Sequence, residues 1–406
     1  MPEMISFLLY LSFILLYAYG MQISSSNLLP YSSSNPFSDP ADELSVQMCK
    51  KYTCKLPTQE FVSSTCGYYG GTEPTVYAQP CPNSSTYCKL NTTSLNYTCQ
   101  PFIPTYYSFP GDKCSPDKEC YEGYSQSCTD GICVGLKKGK PCTSSYQCDP
   151  NSSCRNIDGT LQCAPLLEIG QTGCYKEFDC VYNAGCNVTS TTDLSKNTCI
   201  PYGSIPPGTE ISIETCSWSE NLCSSHICVQ KTAGDETAIC SGNIESSSQM
   251  PASCILPAGT TLQCQSKLDN YTDTISLSNC LCGYNSGGNS YCELFPGDVP
   301  MQAYYRELKK WQESSAIKNC NTYWRYPIDN GENLLCIKNN YDKARYESLY
   351  YWYLYSSLYP QIYGAEDCVL KTFFPDYFQA GENGGDGKDS SARGIALVSL
   401  LLILNH

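Results

Sequence analysis

Few residues in this sequence could carry out chemistry. The two histidines are His226 and His406, and His226 lies in the run Cys223-Ser-Ser-His226-Ile-Cys228. A histidine beside cysteines is what a thiol protease or a zinc site requires. Zinc sites favour two cysteines separated by two residues, and serine hydrolases favour a Gly-x-Ser-x-Gly turn. The chain has neither pattern. We therefore predict no catalytic residue, no metal site and no cofactor, and we interpret His226 as a loop residue in a disulfide-bridged turn.

Acidic residues offer no better catalytic site. Asp117 with Glu119, and Asp235 with Glu236, lie in short loops, where water would surround both carboxylates and leave neither suited to act as a general acid. The chain carries 39 acidic and 25 basic residues and a net charge of −14. Such a surface repels polyanions, so neither nucleic acid nor an anionic lipid surface is expected to attract it electrostatically.

Thirty cysteines dominate the composition, and their distribution indicates export. The first is Cys49 and the last is Cys368, so both ends of the chain are free of cysteine. An even number at this density is typical of disulfides that form in a secretory compartment. We therefore expect an extracellular, disulfide-bonded protein.

The clearest repetition lies between residues 111 and 199. Three units each begin with a glycine just before the first cysteine, place five residues between the first two cysteines, and start about 30 residues apart. A unit this small cannot bury an adequate apolar core, so we expect two disulfides per unit to replace it. Spacing leaves the pairing open. The candidates are Cys114, Cys120, Cys128, Cys133, Cys142, Cys148, Cys154, Cys163, Cys174, Cys180, Cys186 and Cys199, with degenerate copies at Cys81, Cys88 and Cys99 and at Cys216, Cys223, Cys228 and Cys240.

From Asp298 onward the pattern becomes helical. Asp298 followed by Pro300 predicts a helix start, and apolar residues continue at helical spacing to Gln312. A second helix is predicted over residues 341–358. We expect Tyr359-Pro360 to end it, because a proline disfavours the helical conformation in the residue that precedes it.

The second helix is rich in tyrosine and allows two interpretations. An aromatic face could contact another protein, or tyrosine could fill the core of a small domain, and we favour the core. Cys320, Cys336 and Cys368 frame these helices as further disulfide candidates. Because three is an odd number, at least one of them must bond to the preceding repeats if every cysteine is paired.

The N-terminus predicts a signal peptide over residues 1–20. An almost unbroken apolar run extends from Ile5 to Tyr19, and Ala18-Tyr19-Gly20 places small residues where a signal peptidase cleaves. The alternative is an uncleaved membrane anchor. The run is shorter than the ~20 residues that a spanning helix needs, so we favour cleavage after Gly20.

The C-terminus has the order of a glycosylphosphatidylinositol (GPI) attachment signal. Small residues at Asn383-Gly-Gly385 are followed by a polar spacer and then by the apolar run Gly394–Leu404. The alternative is a short apolar helix packed into the core. We predict lipid attachment at Asn383, since attachment at Asp386 or Ser390 would leave the spacer too short.

The repeats also carry a family resemblance. The segment Cys114-Ser-Pro-Asp-Lys-Glu-Cys120 resembles the opening of the Dickkopf N-terminal cysteine-rich module, and the segments 142–148 and 174–180 repeat its spacing. Together with the two terminal signals, such repeats are similar to the cysteine-rich surface proteins of free-living protists, including immobilization-antigen-type coats. The resemblance implies small disulfide-bonded modules exposed on a cell surface.

Six Asn-x-Ser/Thr sequons without an intervening proline predict N-glycosylation, and all of them lie in the cysteine-rich part. The predicted sites are Asn83, Asn91, Asn96, Asn151, Asn187 and Asn270.

These observations predict small disulfide-rich repeats of short strands and turns in an elongated array, followed by a small disulfide-tied α-helical domain. The expected divisions are a signal peptide (1–20), a Ser/Pro-rich linker (21–44), an N-terminal cysteine-rich module (45–110), Dickkopf-N-like repeats (111–202), further cysteine-rich modules (203–297), a Tyr-rich helical domain (298–379) and a GPI attachment signal (380–406).

The predicted function is a non-enzymatic surface coat or recognition protein on the outer leaflet of the plasma membrane. Its partners would be that leaflet, through a lipid anchor, and an extracellular protein or glycan of unknown identity. A receptor or adhesion molecule with a defined protein ligand is the first alternative. A secreted hydrolase or inhibitor with accessory cysteine modules is the second.

Overall fold

A computed structural model gives the fold of the chain. It describes residues 49–56, 58, 64–70, 74–83, 86–91, 96–101, 108–115, 120–121, 123–125, 127–230, 234–242, 250–254, 263–267, 275–326 and 335–382. The predicted signal peptide, the Ser/Pro-rich linker and the GPI signal with Asn383 lie outside these ranges, as do Asn270, Asp117 and Glu119. No helix in the described ranges has the length and apolar character needed to cross a membrane.

All eighteen strands of the described chain are short, lie before residue 298 and form six small sheets, which confirms the prediction of short strands and turns. The sheets are β1-β3-β2-β5-β4, β6-β7, β8-β9, β10-β11, β12-β14-β13 and β15-β18-β17-β16. The strands are β1 Lys51–Cys54, β2 Thr65–Gly70, β3 Thr75–Ala78, β4 Thr86–Asn91, β5 Asn96–Pro101, β6 Ser127–Thr129, β7 Ile132–Val134, β8 Ser152–Ile157, β9 Thr160–Pro165, β10 Ala184–Asn187, β11 Thr198–Pro201, β12 Glu210–Ser212, β13 Cys228–Val229, β14 Thr237–Cys240, β15 Ser253–Cys254, β16 Gln263–Lys267, β17 Ile275–Cys282 and β18 Ser290–Cys292.

Six four-cysteine units, which we call units 1 to 6, share one disulfide pattern. The first cysteine bonds to the third and the second bonds to the fourth. The bonds are Cys66–Cys88 and Cys81–Cys99 in unit 1, Cys114–Cys128 and Cys120–Cys133 in unit 2, Cys142–Cys154 and Cys148–Cys163 in unit 3, Cys174–Cys186 and Cys180–Cys199 in unit 4, Cys216–Cys228 and Cys223–Cys240 in unit 5, and Cys254–Cys280 and Cys264–Cys292 in unit 6.

A hairpin explains why this pattern recurs. In every unit the third and fourth cysteines lie directly opposite each other on two antiparallel strands, as Cys154 and Cys163 do on β8 and β9. Each then bonds to a different cysteine earlier in the unit, so the two disulfides lie side by side under the hairpin. This double bridge takes the place of an apolar core in a segment too short to bury one.

The glycine that precedes the first cysteine has a specific structural role. In units 2 to 5 its N–H donates to the carbonyl oxygen of the fourth cysteine at 2.8 Å, which closes the unit on itself. In all four units the glycine has a positive φ, a region that favours glycine. The four residues are Gly111 (φ 96°), Gly139 (φ 80°), Gly170 (φ 86°) and Gly208 (φ 81°).

Alanine at these glycines is expected to destabilise the protein to different extents. At Gly139 the nearest atom to an added Cβ would be Oε1 of Gln162 at 3.9 Å, an ordinary van der Waals distance, so Gly139→Ala should cost only the backbone strain, about 1 kcal/mol. At Gly111 the Cβ would lie 2.5 Å from the backbone oxygen of Asn319, so Gly111→Ala should cost about 3 kcal/mol or more. Chemical denaturation of both variants measures the difference. Equal losses would show that unit 2 does not press against Asn319.

Six helices are described, and four of them follow residue 334. They are α1 Ile213–Ser219, α2 Val299–Gln312, α3 Leu335–Asn340, α4 Lys343–Ile362, α5 Asp367–Phe373 and α6 Pro375–Glu382. The predicted helix after Asp298 is confirmed as α2, with Asp298 at its N-cap.

The predicted end of the second helix is wrong, because α4 continues through Pro360 to Ile362. Pro360 lies in the last turn, where its missing N–H removes one hydrogen bond near the helix end. The N–H of Tyr363 still donates to the carbonyl oxygen of Tyr359 at 3.0 Å, which holds that last turn. Tyr359 and Ile362 are buried, so packing outweighs the local cost of the proline.

The largest core joins the helices to the repeats. Trp311 of α2 and Trp352 of α4 are buried in one cluster with Phe109 of unit 2, Leu166 after unit 3 and Tyr182 of unit 4. The sequence pattern changes at residue 298, but the helices after it and the repeats before it share one core, so no domain boundary lies there. The tyrosine-rich helix contributes mainly to this core, and its exposed residues are Asp342, Lys343, Ala344, Arg345 and Ser357.

A second core brings the two ends of the described chain together. Cys54 of β1 bonds to Cys368 of α5, and Cys49 bonds to Cys282. Both oxygens of Glu366 accept hydrogen bonds from β1, one from the Thr53 hydroxyl at 2.7 Å and one from the Cys54 N–H at 3.0 Å. Because Cys320 bonds to Cys336, the third cysteine of the helical region is the one that bonds outside it, as the odd number predicted.

Candidate functional site

The short segment 320–326, between α2 and α3, lies across units 3 and 4. We call it the crossing segment. Its Asn321 is fully buried, and the side-chain Nδ2 donates to the carbonyl oxygens of Tyr146 (3.2 Å) and Cys148 (2.9 Å) in unit 3. The hydroxyl of Tyr182 in unit 4 donates to the carbonyl oxygen of Cys320. The crossing segment is thus hydrogen-bonded to two successive repeats.

Arg325 anchors the crossing segment in unit 4. Its Nη1 donates to the carbonyl oxygens of Glu177 and Ala184 at 2.8 Å, and its Nη2 donates to that of Cys180 at 2.6 Å. Nη1 also lies 2.8 Å from the hydroxyl of Tyr202. The guanidinium is fully buried and lies 5.6–6.0 Å from three aromatic ring centres, those of Phe178, Tyr182 and Tyr202.

Units 3 and 4 use the same backbone atom in these contacts. Cys148 and Cys180 are both the second cysteine of their unit, and each follows a short 3₁₀ turn, Ser145–Gln147 or Glu177–Asp179. Such a turn leaves carbonyl oxygens without intrahelical partners. Asn321 fills this position in unit 3 and Arg325 fills it in unit 4.

A carboxylate completes the Arg325 site. Oε1 of Glu177 accepts hydrogen bonds from Tyr202 at 2.6 Å and from Tyr326. Burial raises the pKa of Glu177, and Arg325 and the two phenols oppose that rise. Burial also raises the pKa of both tyrosines well above 10, so their hydroxyls stay neutral donors. Burial alone would lower the pKa of Arg325, but Tyr202, Glu177 and Tyr326 outweigh it, and the guanidinium remains charged.

His226 lies at the edge of the same polar network. It occupies the turn between Cys223 and Cys228 with a positive φ of 58°. Its Nδ1 is 3.1 Å from Oδ1 of Asn221, and its ring stacks on Tyr305 of α2 with centres 3.9 Å apart. Burial, assisted by Lys309, lowers the pKa of His226 to about 4. His226 is therefore held by one polar contact and by stacking on an aromatic ring.

One chain of hydrogen bonds connects the turn that holds His226 to the site around Arg325 and Glu177. Nδ2 of Asn221 donates to the hydroxyl of Tyr326 at 2.9 Å, and Tyr326 donates to Glu177. Unit 5, the crossing segment and unit 4 are therefore tied together by satisfied polar groups. Such a network rigidifies a fold and specifies one arrangement of its parts.

A second buried carboxyl, Asp112, lies in unit 2. Its Oδ2 accepts the N–H of Phe109 at 2.8 Å, and the residue is fully buried. Burial raises the pKa of Asp112 to about 8, and the Phe109 hydrogen bond opposes that rise.

This carboxyl is expected to make the protein less stable as the pH rises. The unfolded Asp112 ionises near pH 3.8 and the folded one at about 8, so its contribution is fully present below pH 3.8 and is lost between those values. The loss should be on the order of a few kcal/mol. Asp112→Asn should remove this component, which is measured as the difference in unfolding free energy between variant and wild type across pH 4–9. A constant difference would contradict the prediction.

Five predicted glycosylation sites fall on the described residues. Asn91 and Asn96 face each other at the end of the β4–β5 hairpin, and Asn83 precedes β4. Asn151 is exposed beside β8, but its Nδ2 donates to the carbonyl oxygen of Lys318 at 2.7 Å. Asn187 ends β10. Unit 1 therefore carries three sequons, two at the tip of its β4–β5 hairpin and one at the opposite end, and their glycosylation stays a prediction.

All fifteen predicted disulfide cysteines lie in disulfides, and the chain has no free cysteine. Groups of three cysteine sulfurs lie within 4.8 Å of one another, for example those of Cys142, Cys148 and Cys163. These groups are adjacent disulfides, and a disulfide sulfur is not the thiolate that binds a metal.

Arg325, Glu177 and unit 6 were not predicted from the sequence. Arg325 lies in the run Tyr323-Trp-Arg-Tyr-Pro327, which has no helical or cysteine periodicity to reveal it. Unit 6 has longer spacings between its cysteines than the other units. Its cysteine count also conceals it, because Cys282 lies among its four cysteines but bonds to Cys49 outside the unit.

No family model, no curated protein and no solved structure matches this chain.

Proposed function

We propose that this protein is a glycosylated, disulfide-bonded component of the cell surface, anchored in the outer leaflet by a GPI lipid, with a coat or recognition role and no catalytic activity. The observation that carries the proposal is the disulfide content. Fifteen disulfides and no free cysteine require an oxidising compartment, which fits an extracellular protein.

The contacts of Arg325, Asn321 and His226 support a structural role for these side chains. Arg325 and Asn321 are both fully buried, and both bind to backbone oxygens of the protein itself. His226 packs against an aromatic ring. These groups hold the repeats and the helices in one arrangement, which is what a coat protein exposed to proteases and to the medium requires.

The proposed anchor has a direct geometric consequence. Helix α6 ends at Glu382, so a lipid at Asn383 would follow that helix without a spacer. Because Cys54 bonds to Cys368 in α5, unit 1 would also lie near the membrane. Units 2 to 5, in the elongated array that the sequence predicts, would then face the medium.

A receptor that binds its ligand through the tyrosine-rich helix has less support. A large exposed apolar patch on residues 341–359 would favour it, but the exposed residues there are Asp342, Lys343, Ala344, Arg345 and Ser357. Tyr353, Tyr355 and Tyr359 are buried in the core.

Phosphatidylinositol-specific phospholipase C tests the anchor. Treating intact cells that express the full chain is expected to release the protein into the medium, and mass spectrometry should find the C-terminal peptide ending at Asn383 with a glycan-phosphate remnant. Protein that stays on the cells and retains the peptide of residues 397–404 would refute lipid anchoring. Release with attachment at Asp386 or Ser390 would correct only the position.

A further inference from the structure

An exposed aromatic pair lies on units 4 and 5. The rings of Tyr175 and Trp218 meet edge to face with centres 4.8 Å apart, and the two residues are 36% and 37% exposed. The other three tryptophans, Trp311, Trp324 and Trp352, are buried. The indole of Trp218 presents an apolar ring face beside a polar N–H, which suits contact with a ligand that has both kinds of surface.

Two structural links place this pair beside the sequon at Asn187. Tyr175 follows Cys174, and Asn187 follows Cys186, which is the disulfide partner of Cys174 at a Cα–Cα distance of 5.8 Å. On the other side, Trp218 lies three residues after Thr215 in α1, so both project from the same face of that helix.

Hydrogen bonds fix α1 against the sequon. The hydroxyl of Thr215 lies 3.5 Å from Oδ1 of Asn187 and accepts the N–H of Val188 at 2.8 Å. The hydroxyl of Ser212, just before α1, donates to the carbonyl oxygen of Val188. The distance between the aromatic pair and the asparagine is therefore set by the fold rather than by a flexible loop.

The amide of Asn187 is available for modification. Its Nδ2 makes no hydrogen bond to the part of the chain that the structure describes, whereas that of Asn151 donates to Lys318. Glycosylation would form a bond from Nδ2 to C1 of the first sugar. The bond from C1 to the oxygen of a lipid pyrophosphate donor would break, and one amide proton would leave.

We propose that Tyr175 and Trp218 form a stacking platform for the first sugars of an N-glycan on Asn187. The C–H groups of a pyranose carry partial positive charge, and they suit the negative face of an indole or phenol ring. The edge-to-face contact already orders both rings, so little side-chain entropy is lost when a sugar covers them. This inference rests on the glycosylation part of the proposed function and identifies what covers this surface.

Acrylamide quenching of tryptophan fluorescence tests the platform, because Trp218 is the one exposed tryptophan of the four. The full chain is secreted from a glycosylating host, and glycopeptide mass spectrometry measures occupancy at Asn187. Thr189→Ala and, independently, Asn187→Gln remove this sequon, and Asn83→Gln removes a distant one as the matched control. Loss of the Asn187 sequon should raise the quenching constant about twofold, since a sugar on one face of the indole screens about half of its exposed surface. The control should leave it unchanged.

The outcomes separate the inference from the proposed function. An occupied Asn187 with equal quenching in wild type and both variants would overturn the platform alone. An unoccupied Asn187 would overturn the platform, and no occupancy at any sequon would also remove glycosylation from the proposed function. Quenching that falls with protein concentration, independent of the sequon, would show that a second copy of the chain covers Trp218 and would overturn the inference.

Discussion

Replacing Arg325 with alanine is expected to lower the free energy of unfolding by about 3–5 kcal/mol, the range found when one partner of a buried charged interaction is removed. The substitution leaves the carbonyl oxygens of Glu177, Cys180 and Ala184 without the donor that now lies within 2.8 Å of each. It also leaves the carboxyl of Glu177 buried without its nearby cation, which is part of that cost.

Denaturant titration measures the loss of unfolding free energy in Arg325→Ala, and two further variants serve as comparisons. Arg306→Ala removes an exposed arginine from α2 and should change the unfolding free energy by less than about 0.5 kcal/mol. Arg325→Lys keeps the charge but cannot reproduce the planar fork of donors, so it should recover less than half of the loss. A loss in Arg325→Ala no larger than that of Arg306→Ala would show that the crossing segment does not depend on this contact. If Arg325→Ala is not secreted, the Arg325→Lys comparison still decides the question.

The contrast between Arg325 and the cysteines shows which parts of the fold are local enough to predict. The spacing between the first and second cysteines, and the glycine before them, report a conformation that forms within about 30 residues. The structure gives the reason, since a glycine with positive φ, such as Gly139, closes the unit on its fourth cysteine. Pattern and structure agree here because the unit contains all of its own partners.

The pairing within each unit is a different case. Four cysteines allow three connectivities, and spacing did not choose among them. In the structure the third and fourth cysteines face each other across the hairpin and each bonds to an earlier cysteine, as Cys186 and Cys199 do. Predicting it requires the strand alignment, which short strands with few apolar residues specify weakly.

The contacts of the crossing segment could not be predicted because they join residues far apart in the sequence through backbone atoms. Arg325 binds carbonyl oxygens at positions 177, 180 and 184, and a backbone carbonyl leaves no trace in residue type. The same applies to α4, which passes Pro360 because tertiary packing outweighs the local preference. His226 was correctly placed in a bridged turn, but its stacking on Tyr305 depends on where α2 packs.

The bond between Cys54 and Cys368 is expected to contribute about 4–5 kcal/mol to the stability of unit 1 against the helices. These cysteines are 314 residues apart, but Cys49–Cys282 already joins the same regions and Cys320–Cys336 shortens the path between them, so the loop that the bond closes is on the order of 75 residues. In the chain-entropy model a loop of that length corresponds to about 4–5 kcal/mol. Replacing both cysteines with serine removes the bond without leaving a free thiol.

The double variant Cys54→Ser/Cys368→Ser should lose stability in one region of the molecule. Hydrogen exchange should become faster in the amides of β1 to β5, because Glu366 would then hold β1 to α5 by two hydrogen bonds without the covalent link. The strands of units 3 and 4 should keep their protection, since their disulfides are internal. We therefore expect the sheet of β1 to β5 to open as one cooperative region while the rest of the molecule stays folded.

The matched control removes a disulfide that lies within one unit and does not join distant parts of the chain. Cys142–Cys154 spans 12 residues within unit 3, so Cys142→Ser/Cys154→Ser should cost about 3 kcal/mol and expose β8 and β9 while β1 to β5 stay protected. If the double variant at Cys54 and Cys368 leaves the exchange of β1 to β5 unchanged, the aromatic core that joins Tyr52 and Tyr97 to Phe373 suffices to hold unit 1 on α5. The Cys54–Cys368 bond would then not be needed to hold β1 against α5.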